Sequence, residues 1–322
     1  MSIVRTPMKE LRAAFGEHLQ ENVRMANYTT AHVGGTADAL LIANNLSDLE
    51  RSASILWDLN VPFHLIGSGS NILVSDAGYR GLIIVNRAKT VKVDAHLPQP
   101  VVMAESGANL GTVARQVALR ALSGLEWAAT IPGTVGGAVY GNAGAHGADM
   151  ASNLVLADIL HHEQGRVNWN CKQMDYQYRS SLLKRSGQKA IILSATMQLT
   201  QSTVEAVQNK MNANSEQRRS TQPPGASLGS MFKNPPGDYA GRLIEAAGLK
   251  GEKIGGAEIS TGHANFFINH EEATAHDIYQ LIRLAQSRVQ EKFGVQLDLE
   301  VELLGEWEDI TDSPSSQKGI RG

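Results

Sequence analysis

The chain has 322 residues, a net charge of −3 and a single cysteine, Cys171. That length provides for about two domains, one cysteine excludes an internal disulfide and fits a reducing compartment, and slight acidity argues against a nucleic-acid partner held by general basic charge. The 31 glycines are about 10% of the chain against a usual ~7%, with no collagen period, and a 42% hydrophobic content excludes a disordered linker.

In chain order, Met8, Leu11, Phe15 and Leu19 recur at helical spacing and predict a short amphipathic helix within residues 1–25. No apolar h-region or run of ~18 apolar residues stands out, so neither a secretory signal nor a membrane span is expected. Ala39 to Ala43 reads as a buried strand. Ser47-Asp48-Leu49-Glu50 reads as a capping box opening a helix to about Asn60. Strands follow at Pro62 to Ile66, Ile72 to Ser75 and Leu82 to Val85, an alternation of strand and helix. Val91 to Ala104 reads as two strands around Pro98 and Pro100, and Leu110 to Leu122 as a helix with Gly124 beyond its end. Leu154 to His161, Val167 to Trp169 and Ala190 to Leu199 have strand character, and Val204 to Arg218 reads as a helix. Thr221-Gln222-Pro223-Pro224-Gly225 is the best linker candidate. Beyond it come a helix at Tyr239 to Ala247, strands at Ala257 to Ser260 and Asn265 to Asn269, and a long helix from Thr274 to Phe293 closed by Gly294. Val295 to Leu304 alternates as a strand, with Leu297, Leu299 and Val301 on one side and Asp298, Glu300 and Glu302 on the other. The polar stretch 308–322 reads as a disordered tail.

Two glycine groups point to a ligand. Gly67-Ser68-Gly69-Ser70-Asn71 follows a strand but lacks the third glycine of a Rossmann fingerprint. Its backbone N–H groups could still cradle a diphosphate, although an ordinary turn has the same composition. Seven glycines fall between Gly124 and Gly147, through Ile131-Pro132-Gly133-Thr134-Val135-Gly136-Gly137. So many small residues make the main chain itself the working surface for a flat or extended ligand. Gly225-Ala226-Ser227-Leu228-Gly229 matches the serine-hydrolase elbow, yet proline flanks replace the strand and helix that elbow needs. His161-His162-Glu163 and the near-match His270-Glu271-Glu272-Ala273-Thr274 read as solvated surface rather than metal ligands, so no metal is assigned.

In order, Val33 to Asp38, Gly67 to Asn71, Ile131 to Ala138, Asn142 to Ala145, Tyr178-Arg179-Ser180-Ser181, Gly229 to Pro235, Ala240 to Leu249, Gly255 to Ala257 and Leu299-Glu300-Val301 resemble the UDP-N-acetylenolpyruvoylglucosamine reductase family. The resemblance covers roughly residues 25–305. It implies an α+β fold: a two-part FAD-binding domain of the vanillyl-alcohol-oxidase (PCMH) type over 26–200, split near residue 88, and a C-terminal α+β substrate-binding domain over 201–305. It implies non-covalent FAD, NADPH as hydride donor, and a sugar-nucleotide substrate reduced in peptidoglycan precursor synthesis. The charge, the single cysteine and the absence of a long apolar run add the expectation of a cytoplasmic protein without nucleic-acid or membrane partners, and a monomer is expected. Gly67, Ser68, Gly69, Ser70, Asn71, Ile131, Pro132, Gly133, Thr134, Gly136 and Gly137 would surround the cofactor. Arg179, Ser230 and Glu300 map onto the family's catalytic positions, with Ser230 the proton donor; Tyr178, Lys233 and Asn234 are expected on the substrate. The short separation of Arg179 from Ser230 matches the family type without a tyrosine-bearing lid insertion. Ala31-His32 and Thr130 depart from the family pattern on the flavin side.

Overall fold

Hydrophobic runs covered on both faces organise the first layer. The computed structural model describes residues 6–270 and 272–307, and its first sheet has the order Gln20–Arg24, Thr36–Ala43, Tyr79–Asn86, Phe63–Ile66. The first pair is antiparallel and the other two are parallel. In Leu82-Ile83-Ile84-Val85, alternate residues enter different cores. Leu82 and Ile84 pack with the helices Met8–Phe15 and Leu46–Asp58, while Ile83 and Val85 pack with Met25, Leu40 and Leu304. Cover on both faces is why the run is apolar without alternation.

The second sheet is antiparallel throughout, in the order Gly165–Asn170, Leu154–His161, Ala190–Gln198, Val101–Glu105, Val91–Asp94. Its core includes residues of the helices Leu110–Ala118, Val135–Gly141 and Val204–Thr221. The last of these helices therefore packs with the second sheet, although it follows residue 200 and the sequence groups it with the C-terminal unit. Ile191 and Leu193 join the core of the first layer, so the strand Ala190–Gln198 is the seam between the two.

The C-terminal layer holds the small antiparallel sheet Lys253–Ile254, Ala257–Ile259, Phe267–Asn269 and the helices Ala240–Ala246 and Ala275–Phe293. Its chain then returns, and Glu302–Leu304 pairs in parallel with Ile72–Val74. Polar ties reinforce that return. The Asp76 carboxylate accepts from the N–H groups of Ala275 and His276 at 3.0 and 2.8 Å, capping a helix of the other layer. Asn269 Nδ2 donates to Ala31 O at 2.8 Å. No helix among the described residues is long and apolar enough to cross a membrane.

Several boundaries differ from the sequence reading. The helix at 46 is capped by Asn45, whose side chain accepts from Asp48 N, and not by Ser47. Gln20–Arg24 is a strand that exposed polar residues concealed. The helix at 110 stops at Ala118 because Ala121 takes a positive φ and Leu122–Ser123 leaves to pair with Thr200–Gln201. Of the strand expected over Val295 to Leu304 only Glu302–Leu304 finds a ladder, with one isolated bridge from Leu299 to Phe232. The glycine-rich segment contains a helix, Val135–Gly141, which its composition hid. His161 is buried, its Nδ1 accepting from the N–H groups of Glu163 and Gln164 in a tight turn, so it is structural rather than solvated. The tail over 308–322 lies outside the described residues.

Candidate active site

A cavity of about 980 Å³ lies between the layers and is lined by both glycine loops, Arg179, Ser230 and Glu300. It stands at the upper end of the ~300–1,000 Å³ range of small-molecule sites. All eleven residues expected around the cofactor belong to its lining, and the two loops, about sixty residues apart in the chain, meet only in the fold.

The glycines in that lining divide into two kinds. A Cβ on Gly67 would lie 2.4 Å from Thr134 Oγ1, and one on Gly69, where φ is +65°, would lie 1.9 Å from Tyr28 O. Those two residues let protein segments approach each other. Gly137 and Gly141 have no such reason. Neither has a positive φ, a Cβ on Gly137 would meet only Thr134 Oγ1 at 3.8 Å, and one on Gly141 would meet nothing within 4 Å. Gly137 sits inside a helix, where glycine costs about 0.5–1 kcal/mol relative to alanine, Gly141 is that helix's last residue, and both line the cavity. A surface kept bare at that cost fits a flat cofactor laid against the main chain.

Arg179 and Glu300 are 121 positions apart and meet in an ion pair of 2.7 Å between Nε and Oε1. Arg179 occupies the left-handed region at φ +55°, inside the turn formed by mutual backbone bonds of Gln177 and Ser180. A non-glycine residue held there costs about 1–3 kcal/mol. Its guanidinium is anchored at a second point, Nη2 donating to Gly144 O at 2.9 Å. Burial pushes the Glu300 carboxyl up from its ordinary value, and the charge and hydrogen bond of Arg179 pull it back. Glu300 N donates to Met231 O at 2.9 Å, which sets the segment carrying the carboxylate beside Ser230. Gly229, at φ +77°, makes the turn into Ser230, and Ser230 bridges to Phe266.

The expected substrate residues fall differently. Tyr178, Lys233 and Asn234 are outside the cavity lining. Tyr178 is exposed and carries the Arg179 guanidinium over its ring at 5.2 Å. Lys233 N donates to Asp298 O, and its ammonium adds positive charge near Glu300. Asn234 Oδ1 accepts from Ala240 N. The structure also brings in residues that the sequence reading passed over. Lys184 pairs with Glu302 at 2.8 Å, forming a second ion pair beside Arg179–Glu300. Glu302, two residues after Glu300, lines the same cavity, a signal already present in the alternation of that segment. Tyr140 and Arg218 line the same cavity. Burial pushes the Tyr140 hydroxyl up to about 12, helped by Glu302, and pushes the Arg218 guanidinium down.

The two departures noted in sequence have local consequences. Thr130 buries its hydroxyl without a partner among the described residues, and His32 takes φ +55°. Ser227 lies outside the cavity lining, in a segment without a preceding strand or following helix, so the hydrolase elbow is absent. No cluster of metal-binding side chains occurs among the described residues.

A family model described as "FAD binding domain" matches residues 37–169, and one described as "UDP-N-acetylenolpyruvoylglucosamine reductase, C-terminal domain" matches residues 220–304. A UDP-N-acetylenolpyruvoylglucosamine reductase of Anoxybacillus flavithermus is 41% identical over 299 residues, covering 92% of this chain and 98% of that protein. The chain belongs to the UDP-N-acetylenolpyruvoylglucosamine reductase family. The reductase of Bacillus subtilis is 40% identical over 286 residues, covering 88% of this chain and 93% of its own length. The crystal structure of the reductase from Thermus caldophilus superposes with a TM-score of 0.75 at 33% identity, covering 88% of this chain and 98% of that one. This reductase-family chain therefore combines a FAD-binding domain with a reductase C-terminal domain in one α+β fold.

Proposed function

We propose that the protein reduces the enolpyruvyl group of UDP-N-acetylglucosamine enolpyruvate to give UDP-N-acetylmuramate, using NADPH and FAD, in peptidoglycan precursor synthesis. The observation that carries this reading is the convergence of Arg179, Glu300 and Ser230 on a cavity walled by bare backbone. Gly67 to Ser70 and Ile131 to Gly137 would hold the cofactor. Bound there, FAD would supply the redox chemistry, relaying a hydride from NADPH to C3 of the enolpyruvyl double bond.

Hydride addition at C3 leaves an electron pair at C2, delocalised into the adjoining carboxylate. Arg179 and Glu300 act on that enol-like charge. The guanidinium is already oriented by two contacts, so it stabilises charge without reorganising during the reaction. Glu300, with its raised tendency to keep a proton, limits the repulsion that a second full negative charge would add. Ser230 gives its hydroxyl proton to C2, which completes addition of hydride and proton across the double bond. A serine hydroxyl is a weak acid, so this step depends on the basicity of the C2 carbanion and on fixed geometry. Lys233 supplies positive charge near Glu300 and Tyr178 steadies Arg179, so each acts on the substrate through that partner, while Asn234 shapes the turn after Ser230 by accepting from Ala240 N. The enzyme works as a cytoplasmic monomer, committing sugar nucleotide to cell-wall synthesis.

The test is direct. The purified protein should be yellow and should oxidise NADPH slowly until the enolpyruvyl sugar nucleotide is added. A colourless protein that FAD cannot reconstitute would sink this reading, as would NADPH oxidation indifferent to the sugar nucleotide.

A further inference from the structure

The loop Gly67 to Asn71 faces two ways. Three of its first four residues contact the FAD-binding layers: Gly67 abuts Thr134, Gly69 O accepts from Thr30 N at 3.1 Å, and Ser70 Oγ donates to Pro132 O at 3.4 Å. Its last residue turns toward the C-terminal layer. Asn71 Nδ2 donates to Glu300 O at 3.0 Å, and Asn71 O accepts from Glu302 N at 2.9 Å. Asn71 therefore grips the 300–302 segment on both sides of Val301. The parallel ladder of Ile72–Val74 with Glu302–Leu304 starts from that grip. On its other edge the same segment is bonded through Glu300 N to Met231 O, next to Ser230. A continuous chain of short contacts thus runs from the glycine loop through Asn71 to Glu300 and on to the residue after Ser230.

We propose that Asn71 is a positioning residue for Glu300 and, through Met231, for Ser230, coupling the loop that would hold the cofactor to the two groups that act on the substrate. This rests on the reductase reading above. It changes the part assigned to Asn71 by sequence, where it belonged to the cofactor bed with its neighbours. A side-chain amide is suited to the task because its N–H reaches the Glu300 carbonyl while its own main-chain carbonyl takes the Glu302 N–H. Alanine keeps only the second contact. Aspartate keeps the size but presents an acceptor to the Glu300 carbonyl and adds a negative charge to a neighbourhood where Arg179, Lys184 and Lys233 all favour the Glu300 carboxylate. The charged groups around Glu300 are those three cations, with Glu302 on its own strand bound to Lys184.

Asn71→Ala and Asn71→Asp are compared with wild type by flavin titration, by separate stopped-flow measurement of the two half-reactions, and by hydrogen exchange of the 299–304 segment in the FAD-free protein. For Asn71→Ala the FAD affinity and the rate of flavin reduction by NADPH should stay within about threefold of wild type. Reoxidation by the enolpyruvyl sugar nucleotide should fall by about tenfold or more, since small misplacements of reacting groups carry costs up to ~10²-fold. Exchange over 299–304 should quicken in the apoprotein. Asn71→Asp should slow reoxidation further and move its pH profile upward, because the added negative charge favours the protonated carboxyl. A parallel loss of FAD affinity and of both half-reactions would overturn the proposal and return Asn71 to the cofactor bed. Unchanged reoxidation in both variants would overturn it as well. If Asn71→Ala does not fold, the isosteric Asn71→Asp decides by its pH profile, an unmoved profile counting against the proposal. Wild-type protein that binds FAD but is never reoxidised by the sugar nucleotide would instead be a failure of the reductase reading, and it is detected before any variant is made.

Discussion

Gly137→Ala should move the apoprotein and the cofactor complex in opposite directions. Gly137 lies inside the helix Val135–Gly141 with an ordinary φ, and an added Cβ would meet only Thr134 Oγ1, at 3.8 Å. The apoprotein therefore incurs no clash and gains the usual helix-interior benefit of about 0.5–1 kcal/mol. For a chain of this size that corresponds to a rise in Tm of roughly 1–4 °C. The same methyl projects from a residue lining the cavity, where overpacking a close contact costs about 1–3 kcal/mol. FAD affinity should fall roughly 5- to 150-fold. Thermal unfolding of the FAD-free protein and fluorescence titration with FAD measure the two halves. Gly67→Ala is the contrast, because its Cβ would stand 2.4 and 2.6 Å from Thr134 Oγ1 and Cγ2; it should destabilise the protein with or without flavin. A Gly137→Ala protein that is stabilised yet binds FAD as tightly as wild type would refute the argument that this backbone is bare for the cofactor's sake.

Three further outcomes are expected. Ser230→Ala should leave flavin reduction by NADPH intact and slow reoxidation by the enolpyruvyl nucleotide at least ~10²-fold, and single-turnover kinetics showing equal loss of both halves would contradict Ser230 as the proton donor. Glu300 has a carboxyl raised above its ordinary 4.5 by burial, so the native state holds this proton more tightly than the unfolded chain. The stability it contributes is full below the ordinary value and is lost as pH rises through the raised one. Glu300→Gln should flatten that portion of the stability-versus-pH curve, as read by denaturant melts of the apoprotein across the window from pH 4.5 upward. Asp76→Ala removes the cap that one layer places on the helix Ala275–Phe293 of another. It should cost about 0.5–2 kcal/mol, seen as a lower denaturation midpoint without a change in FAD affinity.

How much was legible depended on the range of the interaction. The helix closed by Gly294 was readable to within a residue because its signals are local. Thr274 and Asp277 form a capping box, Gly294 takes the left-handed conformation, and an apolar stripe lies between them. The strand expected over Val295 to Leu304 was mostly lost because alternation reports exposure on two sides and not the presence of a pairing partner. The cap lies at Asn45, two residues before the Ser47 that the sequence suggests, because both are good capping residues and only the folded backbone shows which side chain receives the Asp48 N–H.

By itself the sequence determined which residues could do the chemistry. An arginine, a serine and a glutamate in family context, and two stretches where side chains are excluded, are properties of the chain as written. Only the tertiary structure decided that Arg179 and Glu300 meet at 2.7 Å, that Lys184 and Glu302 form a second pair beside them, and that Lys233 and Asn234 stand outside the cavity. It also divided the glycines between those that let two segments touch and those, such as Gly137 and Gly141, that leave space open. The physical reason is that a missing side chain looks the same in sequence whether its place is taken by another part of the protein or is left for a ligand. The distinction lies in what comes to occupy the space, and that is settled by segments far apart in the chain.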